Sequence, residues 1–124
     1  MLEETGREVI DSALQVHRGL GPGLLENAYL ECLAYELRDR GLAVERQKPL
    51  ALNYRGLDMG IGYRLDLLVN DCVVVELKAV RELTTLHEAQ LLSYLKLGSY
   101  RLGFLLNFNV RRMKDGMRRM VNRL

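Results

Sequence analysis

The stretch Val73-Val74-Val75-Glu76-Leu77-Lys78-Ala79-Val80 sets an acid and a base into the most apolar run of the chain. It reads as a β-strand, being short, rich in valine and bounded by turn residues. Side chains two apart on a strand share a face, so Glu76 and Lys78 project together. Charged groups are costly to bury and rarely lie mid-strand without a partner. The preceding stretch, Tyr63-Arg64-Leu65-Asp66-Leu67-Leu68-Val69, carries a second acid in the same way. An Asn70-Asp71 turn makes the two stretches neighbouring strands, apolar on both faces as central strands are.

A buried Glu–Lys pair alone would be ordinary packing, because desolvation largely offsets the attraction. Asp66 on the neighbouring strand leaves the group with net negative charge, which a divalent cation would neutralise. Hard cations such as Mg²⁺ take oxygen ligands, usually one or two carboxylates completed by water and substrate phosphate. A lysine two residues on could orient or deprotonate an attacking water. To meet one ion, Asp66 and Glu76 must face the same side of the sheet. Opposed residues share a face, so paired residue numbers must sum to an even value, with Asp66 opposite Glu76. A two-residue loop would pair Val69 with Cys72 and separate the acids. The spacing therefore predicts a three-residue Asn70–Cys72 loop or a bulge in one strand.

The rest of the chain supplies the frame. Residues 3–18 read as an amphipathic helix with Val9, Ile10, Ala13, Leu14 and His17 on one stripe. Gly19-Leu20-Gly21-Pro22-Gly23 stops it. A second helix is expected over 24–40, striped by Leu25, Tyr29, Leu33 and Leu37, with Gly41 at its C-cap. Two short strands follow, residues 43–47 and 50–54, broken by Pro49. A third helix is expected over 86–97, capped by Thr84 or Thr85, with Glu88 as the capping-box acid if Thr85 is the cap. Residues 101–108 read as another strand. Asp115-Gly116 is a hairpin signal, which makes residues 117–121 a last short strand; a basic C-terminal helix is the competing reading. The order of elements gives one α/β domain, residues 1–124, with a mixed sheet flanked by helices.

Composition excludes several classes. With 48% hydrophobic residues the chain can build a core without disulfides or structural metal. No apolar run is long enough to span a membrane. The start is acidic and polar, so no secretory leader is expected, and Cys32 and Cys72 lack metal-ligand spacing. These features point to a cytoplasmic protein with reduced thiols. The net charge of +2 conceals an asymmetry: residues 1–60 carry 7 Lys and Arg against 10 Asp and Glu, and residues 61–124 carry 11 against 6. The basic half suits a polyanion such as nucleic acid, although a solvated basic tail would have the same composition.

Asp66 followed by Glu76-Leu77-Lys78 resembles the D…ExK signature of the PD-(D/E)XK phosphodiesterase superfamily, whose members share the restriction-endonuclease-like fold. Gly23-Leu24-Leu25-Glu26-Asn27-Ala28-Tyr29 resembles the pattern that names the GxxExxY family within it, and His17, Leu20 and Gly21 fit the same family. Gln90-Leu91-Leu92-Ser93-Tyr94 is similar to the QxxxY element of its recombination-type exonucleases. The resemblance runs from about residue 5 to 122. It implies that Asp66, Glu76 and the carbonyl of Leu77 bind Mg²⁺ or Mn²⁺, and that Lys78 orients water and stabilises charge. Glu26 would add an outer-sphere or third acidic group. Gln90 and Tyr94, one helical turn apart, would position Lys78, water or the nucleic-acid backbone.

Each of these residues has a plainer reading as well. Glu26 could serve the helix dipole. Tyr29 and Tyr94 could be core aromatics with satisfied hydroxyls. His17 could be a packed or capping residue, and Gln90 an exposed helix residue. The function expected is that of a Mg²⁺-dependent nuclease hydrolysing DNA, favoured over RNA, with Arg111, Arg112, Arg118 and Arg119 holding phosphates. The alternative is a non-catalytic nucleic-acid- or protein-binding module on the same fold. A lone domain of this size has few surfaces for sequence readout, which would suit a homodimer or a protein partner.

Overall fold

The computed structural model describes residues 1–123. Helix α1 spans Leu2–Leu20 and α2 spans Glu26–Asp39. Strands β1 (Val44–Tyr54), β2 (Leu57–Val69) and β3 (Val73–Lys78) follow, then helix α3 (Thr85–Gly98) and strand β4 (Leu102–Asn107). A 3-10 turn at Met113–Gly116 leads into β5, Met117–Val121. The strands lie side by side in sequence order. β3 and β4 are parallel, joined over one face by α3, and the other pairs are antiparallel. This is the α/β domain with a mixed sheet that the sequence implies, and residues 117–121 form a strand.

Strand alternation sorts the core into two clusters. Val73, Val75 and Leu77 of β3 and Leu102, Phe104 and Leu106 of β4 pack under α1 and α2, against Val9, Ala13, Tyr29, Leu33 and Leu37. Val74 and Leu105 face the other way, under Leu91, Tyr94 and Leu95 of α3. Glu76 and Lys78 share the parity of Val74, so they lie on the α3 side.

Two local expectations need correcting, and one alternative is resolved. Helix α2 begins at Glu26, and Leu25 is an exposed N-cap residue outside its buried stripe. Strand β1 runs unbroken through Pro49. It is the edge strand, where a missing N–H costs no ladder bond on the open side, and it pairs with β2 as far as a tight Arg55-Gly56 turn. Thr84 caps α3, and its box partner is His87: the Thr84 hydroxyl accepts from the His87 N–H and His87 Nδ1 accepts from the Thr84 N–H.

Gly116 has a more specific role than a turn signal. A Cβ at this buried position would lie 2.1 Å from the Asn107 carbonyl oxygen. Neither backbone segment can yield cheaply, so Gly116→Ala should destabilise the domain by about 1–3 kcal/mol, the usual range for overpacking. Urea unfolding of the two proteins measures the difference.

Candidate active site

Val69 pairs with Val73, and the loop between them is Asn70-Asp71-Cys72. Asn70 and Asp71 both adopt positive φ, 50° and 56°, as such tight loops require. The ladder continues through Leu68↔Val74 and Leu67↔Val75, each pair summing to the same even value. That register sets Asp66 opposite Glu76. There the strands part. The Asp66 N–H donates to Glu76 Oε2 at 2.8 Å, and the Leu77 N–H donates to Asp66 Oδ2 at 2.9 Å. The two carboxylates thus stand in for the carbonyls that a continued ladder would have offered.

The parting has a visible cause. Leu65 and Leu68 both belong to the α3-side cluster although they differ in parity. Across from them, Arg46 pairs with Glu31 of α2 on one face, whereas Leu50 packs on the α3 face. Both strands therefore slip once between these residues. Gln47 takes a positive φ of 52° at that point, and Gln47 and Asp66 drop out of the ladder. The slip turns β2 away from β3 and opens the gap that Asp66 and Glu76 fill.

Burial dominates the electrostatics. Glu76 is 6% exposed. Burial first, and the neighbouring Asp66 charge second, push its carboxyl up to about 8, against the Asp66 N–H and Lys78, which favour the charged form. Asp66 is raised as well, by burial, with the Leu77 N–H and Lys78 opposing. Glu26 is exposed as a residue, yet its carboxyl loses enough hydration, and lies near enough to Asp66, to be raised too. Burial and the Glu76 charge raise the Tyr94 phenol, while the Gln90 amide beside it pulls the other way. Glu26 from one layer and Tyr94 from the other therefore sense the same Asp66–Glu76 group. Lys78 is half-buried and has no ion-pair partner within 4.0 Å among the described residues, so it is held close to the acids but not locked to one.

The supporting residues sort themselves by contact. Tyr29 is fully buried, stacked on Phe108 at 4.7 Å between centroids. Its hydroxyl donates to the Gly21 carbonyl at 2.7 Å and accepts from the Leu24 N–H, which fastens the loop before α2. His17 Nε2 lies 2.7 Å from the Val110 carbonyl oxygen, a packing role as its apolar stripe suggests. Gln90 is exposed and lines a groove with Tyr94 and Tyr63. Asn107, which sequence reading passed over, is fully buried beside Lys78. Its amide donates to the Val80 carbonyl and its oxygen accepts from the Val80 N–H, tying down the segment that leaves β3. The signal available was a polar residue closing an otherwise apolar strand.

The four arginines do not form one track. Arg118 and Arg119 are adjacent on β5 and so point to opposite faces. Arg118 lies 3.6 Å from Glu88 of α3, and Arg119 lies 2.9 Å from Glu3 of α1. Arg111 and Arg112 lie in the loop after Asn107, at the Lys78 end of the sheet, exposed and in no ion pair among the described residues.

The donor set can be tested against a cation. Among the described residues no three His, Cys, Asp or Glu side chains stand close enough together to hold a metal ion. Mg²⁺ does not require that many, since two carboxylates, water and a phosphate suffice. Asp66 Oδ1 and Glu76 Oε1 accept no hydrogen bond among the described residues, and neither is sealed from solvent, because Ser12 Oγ is the only buried side-chain atom there lacking a partner. The residues fit a hard cation held on two acids, though not a closed protein cage.

A mixed five-stranded sheet flanked by helices, with Asp, Glu and Lys gathered where two central strands part, defines a restriction-endonuclease-like α/β domain. The family model of the PD-(D/E)XK nuclease superfamily matches residues 3–120, and the chain belongs to that superfamily. No curated protein and no solved structure gives a match. Among the described residues no helix is long and apolar enough to cross a membrane, and Cys32 and Cys72 are free thiols.

The electrostatics give a prediction for the metal-free protein. The folded pKa of Glu76 lies above its unfolded value of about 4.5, so the folded state binds the extra proton. Its contribution to stability is therefore full below about pH 4.5 and is lost as pH rises through about 8. Glu76→Gln, whose amide oxygen can still accept from Asp66, removes that loss. In EDTA the variant should be more stable than wild type at pH 9, on the order of a few kcal/mol, with the gap closing towards pH 4.5. Denaturant midpoints across that range check it.

Proposed function

We propose that the protein is a divalent-metal-dependent nuclease of the GxxExxY type, hydrolysing phosphodiester bonds in nucleic acid, with DNA ahead of RNA as substrate. The observation that carries this reading is the reciprocal brace of Asp66 and Glu76, with Lys78 on the same face. Membership of a nuclease superfamily whose members usually use divalent metals supports it.

Asp66 Oδ1, Glu76 Oε1 and the Leu77 carbonyl would hold the cation. The bound Mg²⁺ or Mn²⁺ would supply Lewis-acid stabilisation of the phosphoryl oxygens and make water more acidic. Lys78 orients the attacking water and stabilises the charge that develops on the phosphate. Glu26 holds further water at the rim, and Gln90 with Tyr94 positions the backbone that approaches along α3. Arg111 and Arg112 take the phosphates beyond the scissile bond.

Cleavage of labelled single-stranded, duplex and branched DNA and RNA with Mg²⁺ or Mn²⁺ is the direct test. Lys78→Ala should lower the rate by roughly 10²–10⁴-fold, the range for loss of acid–base help, while nucleic-acid affinity stays close to wild type. A wild-type protein that binds nucleic acid, cleaves none with any divalent metal, and matches its Lys78→Ala variant would be a binding module. The double variant Arg111→Ala/Arg112→Ala should weaken binding and lower the salt slope by about one unit per lost contact, whereas Arg119→Ala should leave that slope unchanged.

A further inference from the structure

A groove of about 520 Å³ lies between α3 and the β1–β2 hairpin, lined by Leu52, Tyr63, Gln90, Tyr94, Lys96 and Leu97 among others. Its volume suits a ligand of nucleoside size. The Tyr63 ring tilts at 41° to that of Tyr94, 5.4 Å between centroids. Tyr94 is almost fully buried, so it serves as backing, whereas Tyr63 is 40% exposed and presents a ring to solvent. No carboxylate lines this groove, and its single charged group is the cation Lys96, exposed and in no ion pair among the described residues. Tyr94 belongs to this groove and packs in the same α3-side cluster as Val74 of β3, the strand that carries Glu76 and Lys78 on that face. Tyr63 also borders a second groove, shared with Ile61 and Arg64, so it forms a ridge with a cation on each side. The Asp58 carboxylate in that second groove accepts from the Gly60 N–H.

We propose that this groove is a nucleobase subsite in which Tyr63 stacks on an unpaired base next to the scissile phosphate, making single-stranded or locally unpaired nucleic acid the preferred substrate. The inference rests on the nuclease reading for its ligand class and adds the state of the strand. An aromatic face beside a cation, with no acid, suits a base and its phosphate and is sequence-tolerant. A base in a continuous duplex has both faces covered by its neighbours. Only an unpaired or splayed base can offer a face to Tyr63 inside a concave groove.

The test uses the Lys78→Ala protein with Mg²⁺, so that binding is read without cutting. The probes are a fluorescent 12-nucleotide oligothymidylate and the same strand annealed to oligoadenylate. Tyr63→Ala should weaken single-strand binding about 5- to 150-fold, the equivalent of one lost base–aromatic stack, and leave duplex binding within about twofold. Tyr63→Phe should bind as Lys78→Ala alone does, and Tyr63→Leu should bind like Tyr63→Ala. Lys96→Ala should lower the single-strand salt slope by about one. A Tyr63→Ala protein that binds the single strand unchanged, or that loses both probes equally, overturns the proposal. So does a dimer in sedimentation that the Tyr63→Ala change dissolves, because the groove would then be occupied by a second copy. Duplex cleavage by wild type that ignores Tyr63 overturns this subsite and leaves the nuclease reading standing. Tyr63-dependent single-strand binding without any cleavage does the reverse.

Discussion

The site depends on two backbone N–H groups that the sheet no longer satisfies. Where β2 turns away from β3, the N–H of Asp66 and that of Leu77 lose their place in the ladder. Left unpaired and buried, each would cost free energy comparable to a lost hydrogen bond. The carboxylates of Glu76 and Asp66 accept them, crosswise, over 2.8 and 2.9 Å. Each acid is thereby fixed by the other's strand, and one oxygen of each is left over. The same bonds that end the sheet in good order set two carboxyl groups side by side with free lone pairs. Burial raises both carboxyls, and the neighbouring Asp66 charge adds to the rise at Glu76. A local cost of this kind persists only where the surroundings over-determine the geometry. Here the surroundings are fully buried valines and leucines on both faces of β3.

The divergence also decides what can reach the acids. Because β1 and β2 slip together at Gln47 and Asp66, the hairpin beyond them stays paired within itself but no longer pairs with β3. It carries Tyr63 against Tyr94 of α3. The other side of β3 is taken by β4, whose parallel pairing with it brings Asn107 beside Lys78. The chain leaving β4 then carries Arg111 and Arg112 past the same end. One irregularity in one strand pair thus creates both the anionic centre and its access.

How far the sequence foretold this depends on the physics behind each feature. The register of β2 and β3 could be read from parity, since a shared face for Asp66 and Glu76 demands an even sum and hence the loop Asn70–Cys72. The helices followed from their apolar spacing and glycine stops. The continuity of β1 through Pro49 was hidden, because a proline breaks a central strand and not an edge one, and edge position is a tertiary fact. Thr84 was legible as a cap, but its His87 partner was not, because the capping-box pattern names Glu or Gln and an imidazole nitrogen serves equally as acceptor. Arg118 and Arg119 look alike to charge counting, which ignores faces, although adjacent residues of a strand look in opposite directions. The positive φ at Gln47 has no sequence signal, since nothing about glutamine favours it.

The Gly23–Tyr29 motif divides into a solvent-facing acid, Glu26, and a buried aromatic, Tyr29, and the division explains their spacing. Glu26 and Tyr29 are three apart on α2, so both hang from the same side of the helix. Tyr29 reaches inward to Phe108, and the Phe108 N–H donates to the Lys78 carbonyl at 3.0 Å. The helix that presents Glu26 is therefore referenced, through one stacked pair and one hydrogen bond, to the backbone of Lys78. His17 holds the same segment two residues on, at the Val110 carbonyl. A glutamate on a solvent-exposed helix start would otherwise be free to drift by ångströms. Here its first turn is pinned at Tyr29 and its preceding loop at Gly21 and Leu24, so the backbone that carries Glu26 is fixed while the side chain stays open to water and still senses Asp66 and Lys78.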